Sequence, residues 1–446
     1  MLAHGIGTRE DLPLPLAWAI AGAATAVLIS FVALAVLWPA PALDDDTLGR
    51  PLPPALARLL DARRFRAALA GLGLLALGWT LLALVLGPDD TRNAAPFAIY
   101  VLLWVWLVPV SALLGPVWRQ LNPVRTVHRL LNRALLLDPG QGVLQLPDRL
   151  GWWPSAVGLA GFAWLELVSP EPAARGTLQL AVALYLAVQL LAGLLFGSTW
   201  FDRGDAFETW SGLYGRISPL GRRRDGRLVL RRPLAGLGTL PVTRPGSAGL
   251  AAAAVVMLSA TVYDGLSGSS AWVAFVQRQR VARELTGTAG LLGTIAVLGG
   301  LYVGCTLLAG VLGGLGRLTS PAVRALPGAF APSVVPVACG YVIAHYYAFG
   351  VLEGRQALVR LSDPLGTGAN WLGTARLPQP VLLLTPAVVA DVMVAAIVLG
   401  HVAGVVLAHD RAVGLFPRRA AVLGQLPLLA LMVTLTCLGL FLLFWT

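Results

Sequence analysis

Ten apolar runs, each long enough to cross a lipid bilayer as a helix, constrain the fold of this chain more than any other feature. A helix of about 20 apolar residues spans the hydrocarbon core, where it also satisfies its own backbone hydrogen bonds. The chain is 57% hydrophobic and 12% charged, whereas soluble domains carry roughly 25% charged residues. We therefore predict an all-α integral membrane protein with about ten transmembrane helices, folded as a single polytopic domain over residues 1–446. The runs lie near residues 14–38, 66–87, 95–117, 152–169, 176–198, 247–263, 288–311, 328–352, 385–408 and 422–445.

The distribution of arginine predicts the orientation of these helices. All 33 basic residues are arginine, and 24 of them follow the first, third, fifth, seventh and ninth runs. Because positively charged loops remain on the cytoplasmic side, we predict that both termini face outward (N-out/C-out). The net charge of +11 then indicates attraction of these loops to an anionic inner leaflet. The predicted partners are the lipid bilayer and an unknown small-molecule substrate, and nucleic acid is not among them.

The segments between the runs predict short interfacial elements rather than a soluble domain. The cytoplasmic loop of roughly residues 200–246 is too short and too rich in Gly, Pro and Arg to fold alone, so we expect it to anchor at the lipid surface. NPVRTVHRLLNRALLL predicts an amphipathic helix on the inner leaflet, capped by Asn122. We expect His128 and the arginines of this helix on its polar, solvent-facing side. These arginines are Arg125, Arg129 and Arg133.

The stretch DRGDAFETWSGLYGR predicts a second short helix with two alternative interpretations. Asp205 and Glu208 have the spacing of a capping box, which places the apolar residues of the helix on a membrane-facing side. With Asp202, the same acids could instead form a metal or catalytic site. The apolar residues are Phe207, Trp210 and Leu213.

Glycines in the seventh run have the spacing of a close helix contact. Gly300 and Gly304 are four residues apart, as are Gly310 and Gly314 at the end of the run and just past it. Small residues at this interval allow two membrane helices to approach each other closely. We expect this face of the helix to pack against a neighbour.

Ionisable residues inside the apolar runs indicate a site in the outer half of the membrane. Glu166, Asp264, His345 and Asp391 belong to different runs, and a rise of about 1.5 Å per residue places them within roughly 10 Å of one depth. Such groups are expected to pair, to protonate or to bind a cation in hydrocarbon. Histidine and carboxylate ligands suit zinc, copper, iron or manganese. We predict that His345, Asp391 and Asp264 hold a divalent transition metal and that Glu166 is a catalytic group.

Further candidates lie deeper in the ninth run and before the first. His401 is about 15 Å below the predicted outer site, where it acts as a catalytic base or simply bonds to a neighbouring helix. His409 and Asp410 end the run on the inner side, either as ordinary helix-end groups or as an inner gate. His4 and Asp11 precede the first run, and they either fold onto the outer mouth or belong to a flexible terminus.

Six stretches of the chain carry a resemblance to a known family. They are AHGIGTREDLPLP, SFVALAVLW, LNPVRT, FAWLELVSP, TVYDGL and GHVAGVVLAHDRAV. These stretches resemble bacterial polytopic membrane proteins known as fenitrothion hydrolases. The resemblance runs along most of the chain and implies a bacterial plasma-membrane protein that hydrolyses an organophosphate triester. Several candidate residues lie inside the stretches, but the resemblance assigns no role to any of them. These residues are His4, Arg9, Asp11, Glu166, Asp264, His401, His409 and Asp410.

Two classes of function remain open, with a third alternative. In a membrane-embedded hydrolase, a metal-bound water attacks an ester and His401 or a carboxylate acts as general base. In a proton- or cation-coupled transporter, the same acids and histidines form a relay along the ninth helix. The third alternative is a non-catalytic subunit of a membrane complex.

Overall fold

Helices make up most of the structure, a computed structural model that describes residues 15–43, 47, 49–240 and 247–445. Each of the ten predicted runs is helical over most of its length. A π-helix, Phe97–Trp106, leads into α4, and the 3₁₀ turns Thr374–Arg376 and Val381–Leu384 precede α17. The α-helices are α1 (Leu16–Leu37), α2 (Pro54–Asp61), α3 (Arg63–Leu86), α4 (Leu107–Leu114), α5 (Trp118–Leu121), α6 (Pro123–Ala134), α7 (Trp153–Leu167), α8 (Arg175–Phe196), α9 (Thr199–Arg203), α10 (Ala206–Tyr214), α11 (Ala235–Gly238), α12 (Ser247–Ser267), α13 (Ser270–Arg278), α14 (Arg283–Leu312), α15 (Pro321–Arg324), α16 (Leu326–Leu361), α17 (Pro386–Leu415) and α18 (Ala421–Trp445).

The long helices confirm an all-α membrane protein. Among the described residues, nine helical segments are long and apolar enough to cross a membrane. The predicted run at 152–169 forms α7, whose 15 residues extend about 22 Å, less than a hydrocarbon core of about 30 Å. The length of α7 therefore does not by itself identify a span. The nine segments are α1, α3, Phe97–Leu114, α8, α12, α14, Pro321–Leu361, α17 and α18.

A small antiparallel sheet joins two of the loops that are rich in arginine. Strand β1 (Arg50–Pro51) pairs with β3 (Leu228–Leu230), and β3 also pairs with β2 (Leu220–Arg222). Asp61 at the end of α2 forms an ion pair with Arg222 of β2. The loops that follow α1 and α8 therefore lie together on one side of the helix bundle.

Loops at the other end of α3 also contact each other. The Arg175 guanidinium donates to the Gly87 carbonyl at 3.1 Å, and the Tyr100 hydroxyl donates to the Pro172 carbonyl at 2.8 Å. These contacts join the loops that follow α3 and α7. On each side, two of the loops that the arginine pattern assigns to that side are thus in contact.

Helices α12 and α16 form the buried centre of the bundle. α16 has 36 residues and packs against both α12 and α17. At the crossing of α16 and α17, a Cβ added to Gly340 would lie 2.3 Å from the Ala396 carbonyl oxygen and 3.1 Å from the Gly400 Cα. Only glycine permits two backbones to approach so closely.

Of the glycines predicted to pack closely, Gly310 does so, since a Cβ added there would lie 2.5 Å from Leu326 Cδ1. The close contact predicted at Gly300 and Gly304 is wrong. A Cβ added to either residue would meet no atom of the described chain within 4 Å. This face of α14 points away from the other helices, because spacing of small residues permits a close contact but does not create one.

Helix α6 forms where it is predicted, with Asn122 as its N-cap, but two of the polar residues expected at its surface are enclosed by the protein. Arg125 and His128 are buried, whereas Leu131 is 42% exposed. The surface position predicted for His128 is therefore wrong. Its ring packs against Phe201 of α9, with ring centroids 5.4 Å apart. Val124 is buried as well, whereas Arg133 is exposed, so the protein encloses the N-terminal part of α6 and leaves its C-terminal end at the surface.

Helix α10 is capped as predicted but does not lie at the membrane surface. The Asp205 side chain accepts hydrogen bonds from the backbone N–H groups of Phe207 and Glu208. The membrane-facing side predicted for this helix is wrong, because its apolar residues are buried inside the bundle. Trp210, for example, stacks on Trp104 with ring centroids 4.0 Å apart.

Candidate functional site

Three helices bring polar side chains together on the side predicted to face outward. Glu166 of α7, Asp264 of α12, and His345 and Tyr346 of α16 are named the outer cluster. His345 Nε2 donates to Asp264 Oδ2 at 2.9 Å, and the Tyr346 hydroxyl donates to the same oxygen at 2.6 Å. Asp264 is therefore held as an acceptor, and His345 is oriented by a carboxylate.

Glu166 occupies a different environment from Asp264. Tyr346 directs its single hydroxyl hydrogen to Asp264, and Glu166 Oε1 lies 3.5 Å from the Tyr346 oxygen. This contact becomes a satisfied hydrogen bond only when Glu166 carries a proton and donates it. Glu166 Oε2 is buried and has no hydrogen-bond partner among the described residues. A neutral carboxyl group costs far less to bury than a carboxylate, so the geometry fits an exchangeable proton on Glu166.

The polar groups of the outer cluster extend from the interior of the helix bundle toward its surface. The His345 side chain is 16% exposed and the Asp264 side chain 5% exposed. Glu166, Tyr346, Asp264 and His345 thus form a continuous series of donors and acceptors from a buried carboxyl group to a partly exposed imidazole.

Two further buried polar groups lie between the outer cluster and the inner side. The Tyr341 hydroxyl and His401 Nε2 have no hydrogen-bond partner in the described part of the chain. Tyr341 is one helical turn before His345, and its hydroxyl lies 3.9 Å from the Cβ position of Gly265. His401 Nδ1 donates to the Ile397 carbonyl at 2.8 Å, which leaves Nε2 as a free acceptor. A buried unsatisfied polar group costs about 1–3 kcal/mol, and inside a membrane such a group is by default a functional candidate.

His409 forms the centre of a second cluster at the inner end of α17. Its Nδ1 lies 2.9 Å from Gln425 Oε1, and its Nε2 lies 3.0 Å from the Trp38 carbonyl oxygen. Gln425 Nε2 donates to the Ala421 carbonyl at 2.7 Å, which orients the amide oxygen toward His409. Both ring nitrogens therefore face acceptors, and both hydrogen bonds form only when the imidazole carries two protons.

Asp410 supplies a carboxylate next to His409. Asp410 Oδ1 accepts from the Trp38 indole nitrogen at 3.0 Å and from the Ala42 backbone N–H at 2.6 Å. Both side chains are buried. We name Trp38, His409, Asp410 and Gln425 the inner cluster, which joins the ends of α1, α17 and α18.

The remaining predicted site residues do not join these clusters. Asp391 is exposed on α17 and has no hydrogen bond or ion pair with the described residues. His4 and Asp11 lie outside the described residues. Among the residues that the structure describes, no three His, Cys, Asp or Glu side chains are close enough to hold a metal ion. Of the predicted metal ligands, the structure brings only Asp264 and His345 into contact.

Sequence reasoning missed the tyrosines of α16. Tyr346 joins the two carboxylates, and Tyr341 lies below them. A tyrosine in an apolar run is ordinarily an interfacial or packing residue. The available signal was the interval of four residues between Tyr341 and His345, which places both on one face of a helix.

The acids of α9 and α10 form a buried charge network with α6. Arg125 makes a two-pronged contact with Glu208, at 3.0 Å from Nε and 2.6 Å from Nη2, and a 2.6 Å contact with Asp202. The Asn122 amide donates to Asp205 at 2.9 Å. Burial raises the pKa of Glu208 to about 7, against the opposing charge of Arg125. Because these carboxylates already have partners, the arrangement supports a structural role over a metal site.

Comparison of the chain with protein-family models, with curated proteins and with solved structures finds no match. The resemblance to fenitrothion hydrolases therefore remains an expectation from the quoted stretches. The basis for a functional inference is the arrangement of polar groups in the helix bundle.

Proposed function

We propose that this protein is a proton transporter of a bacterial plasma membrane, which accepts protons at the outer cluster and passes them inward along α16 and α17. The observation that carries this proposal is the series of buried polar atoms without described partners, which begins in the outer cluster with Glu166 Oε2 and continues inward with the Tyr341 hydroxyl and His401 Nε2. A hydrolytic site needs polar groups only around its substrate. Proton transfer across a bilayer needs them at successive depths, and His409 lies about 12 Å beyond His401 along α17.

We further propose that ten helices cross the membrane, including the short α7, with both termini outward. At the start of α7, the backbone nitrogen of Trp153 lies 2.6 Å from the Cβ position of Gly249, near the start of α12. At its other end, the Trp164 indole donates to the Thr288 hydroxyl at 2.8 Å, near the start of α14. Because α12 is a full span, its start and the start of α14 lie on opposite sides, which supports a crossing by α7.

This topology predicts that a reporter fused after Thr446 lies outside the cytoplasm. Green fluorescent protein at this position is expected to remain dark, because it does not become fluorescent after export in unfolded form, whereas alkaline phosphatase is expected to be active. A fusion after Arg419, in the loop between α17 and α18, is the control with the opposite result. Fluorescence from the fusion after Thr446 would rule out ten crossings with an external C-terminus.

The transport proposal predicts proton uptake that depends on the buried groups. Purified protein is reconstituted in liposomes that contain a pH-sensitive dye, and a potassium diffusion potential drives proton entry. The wild type is expected to acidify the lumen faster than empty liposomes do. Glu166→Gln and His401→Phe are expected to reduce the rate to the background, because each removes a proton-carrying group from the path.

Asp391→Asn is the matched control for proton uptake. It removes a carboxylate from the same helix as His401, but Asp391 is exposed and has no partner among the described residues. The rate of this variant is expected to equal that of the wild type. The proposal fails if the wild type is no faster than empty liposomes, or if Glu166→Gln and His401→Phe keep the wild-type rate.

A membrane-embedded hydrolase is the second candidate. It is supported by the Asp264–His345 pair, since a carboxylate that orients a partly exposed imidazole is the usual arrangement of a general base. The resemblance to fenitrothion hydrolases agrees with this candidate, and a divalent zinc, copper, iron or manganese ion would supply an activated water.

The metal-dependent form of the hydrolase predicts near-stoichiometric metal in the detergent-purified protein. Elemental analysis compares the wild type with His345→Ala and Asp391→Ala. If both residues are ligands, each variant is expected to lose the metal. Loss in His345→Ala alone would remove Asp391 from the ligand set, and a wild type without metal would leave this candidate without its activated water.

A further inference from the structure

Two arginines near the β-sheet have no carboxylate partner in the described part of the chain. The Arg231 guanidinium makes no hydrogen bond to a described residue, and its Nε is buried. Arg216 donates from Nη1 to the Gly236 carbonyl at 3.1 Å. Burial, together with the neighbouring charges of Arg231 and Arg119, lowers the pKa of Arg216 to about 10. As whole residues, Arg216 and Arg231 are nevertheless both partly exposed, so part of this site is open to a solute or a headgroup.

The backbone around Arg231 is shaped to admit its guanidinium. A Cβ added to Gly221 of β2 would lie 2.4 Å from Arg231 Cζ, and one added to Gly236 of α11 would lie 2.2 Å from Arg231 Nη2. The same position at Gly236 is 2.6 Å from the Arg216 carbonyl oxygen. Two glycines thus hold the Arg231 guanidinium beside the backbone of Arg216.

Several of the described acids on this side of the protein already contact other arginines, and no described acid forms an ion pair with Arg216 or Arg231. Asp61 pairs with Arg66 and Arg222, and Asp225 pairs with Arg223 and Arg227. Asp202 pairs with Arg119 and Arg125. Within the described residues, the positive charges of Arg216 and Arg231 are therefore not neutralised by an ion pair.

We propose that Arg216 and Arg231 bind a phosphate group on the inner side of the protein. Two guanidinium groups offer several N–H donors in a planar arrangement that matches phosphate oxygens. The phosphate group belongs either to an anionic lipid headgroup or to a soluble phosphorylated compound. This site is separate from the outer cluster, so its test does not depend on the proposed transport.

The experiment measures binding of two probes to the full-length protein. Radiolabelled inorganic phosphate is titrated by equilibrium dialysis in a neutral detergent. In the second arm, nanodiscs of equal parts phosphatidylcholine and phosphatidic acid are used, and retained phosphatidic acid is counted by native mass spectrometry.

Two variants test the role of Arg231. Arg231→Gln removes the positive charge, and Gly221→Ala displaces the Arg231 guanidinium but keeps its charge. Arg232→Gln is the control, because Arg232 is exposed in the same loop.

We expect Arg231→Gln and Gly221→Ala each to weaken phosphate-group binding at least about tenfold, because charged hydrogen bonds are lost. Arg232→Gln is expected to bind like the wild type. Binding of inorganic phosphate supports a soluble compound, and selective retention of phosphatidic acid alone supports a lipid headgroup. The proposal is overturned if the wild type binds neither probe. It is also overturned if Arg232→Gln weakens binding as much as Arg231→Gln does.

Discussion

Replacing Arg125 by alanine is expected to lower the free energy of unfolding by about 3–5 kcal/mol, the usual cost of removing one partner from a buried ion pair. The Arg125 side chain is 8% exposed and Glu208 6% exposed, and the two make a double contact. Without the guanidinium, Glu208 would be buried beside Asp202 and Asp205 with no opposite charge. It would then either protonate or separate α6 from α10.

The measurement is thermal unfolding in detergent, followed by a dye that becomes fluorescent on reaction with thiols. Cys339 is free and buried, so its reaction reports opening of the bundle. A decrease in the apparent Tm of about 3–5 °C is expected for Arg125→Ala. Arg133→Ala is the matched control, because Arg133 is exposed on the same helix, where an arginine contributes less than about 1 kcal/mol. Equal Tm values for the two variants would show that the network does not stabilise the fold.

The second large decrease in the free energy of unfolding is expected from Gly340→Leu, at the crossing of α16 and α17. A Cβ at this position meets the Ala396 carbonyl oxygen at 2.3 Å, and this atom belongs to the backbone and cannot rotate away. Overpacking a close-packed core commonly costs about 1–3 kcal/mol. We expect the upper end of this range or more, because two helices must separate along their length.

The control for Gly340→Leu is Gly304→Leu, which places the same side chain on a glycine of α14. A Cβ on Gly304 meets no described atom within 4 Å, so this variant is expected to keep the wild-type Tm. Separation of α16 from α17 would also displace Tyr341 and His401, so proton uptake by Gly340→Leu is expected to fall in the same liposome assay. A Tm of Gly340→Leu equal to that of Gly304→Leu would contradict the close crossing.

The limits of prediction from the sequence are clear at the short helices. Asn122 and Asp205 were recognised as caps because capping is a local interaction between neighbours in the chain. The direction in which α6 presents Arg125 was predicted incorrectly. Amphipathic periodicity shows that a helix has two different sides, but it does not show which side meets lipid and which meets a buried carboxylate.

At the candidate site, too, one property was predictable from the sequence and another depended on how the helices pack. The approximate depth of Glu166, Asp264 and His345 followed from helical rise alone, and these residues do lie together. Asp391 has a comparable calculated depth but is exposed. Depth along a helix does not determine which way a residue faces, because that depends on the rotation of the helix about its axis. Rotation is decided by packing between helices, and here the glycine contact of α16 with α17 contributes to it.

The sequence by itself determined that this is an all-α membrane protein, where its helices lie, and which ionisable residues are in apolar surroundings. These properties depend on hydropathy and on backbone hydrogen bonding, which act over short stretches of chain. Tertiary structure alone decided that Tyr346 joins two carboxylates, that His409 faces two acceptors, and that Arg231 lies against two glycines. Each of these depends on contacts between residues far apart in the chain, which are set by the packing of whole helices.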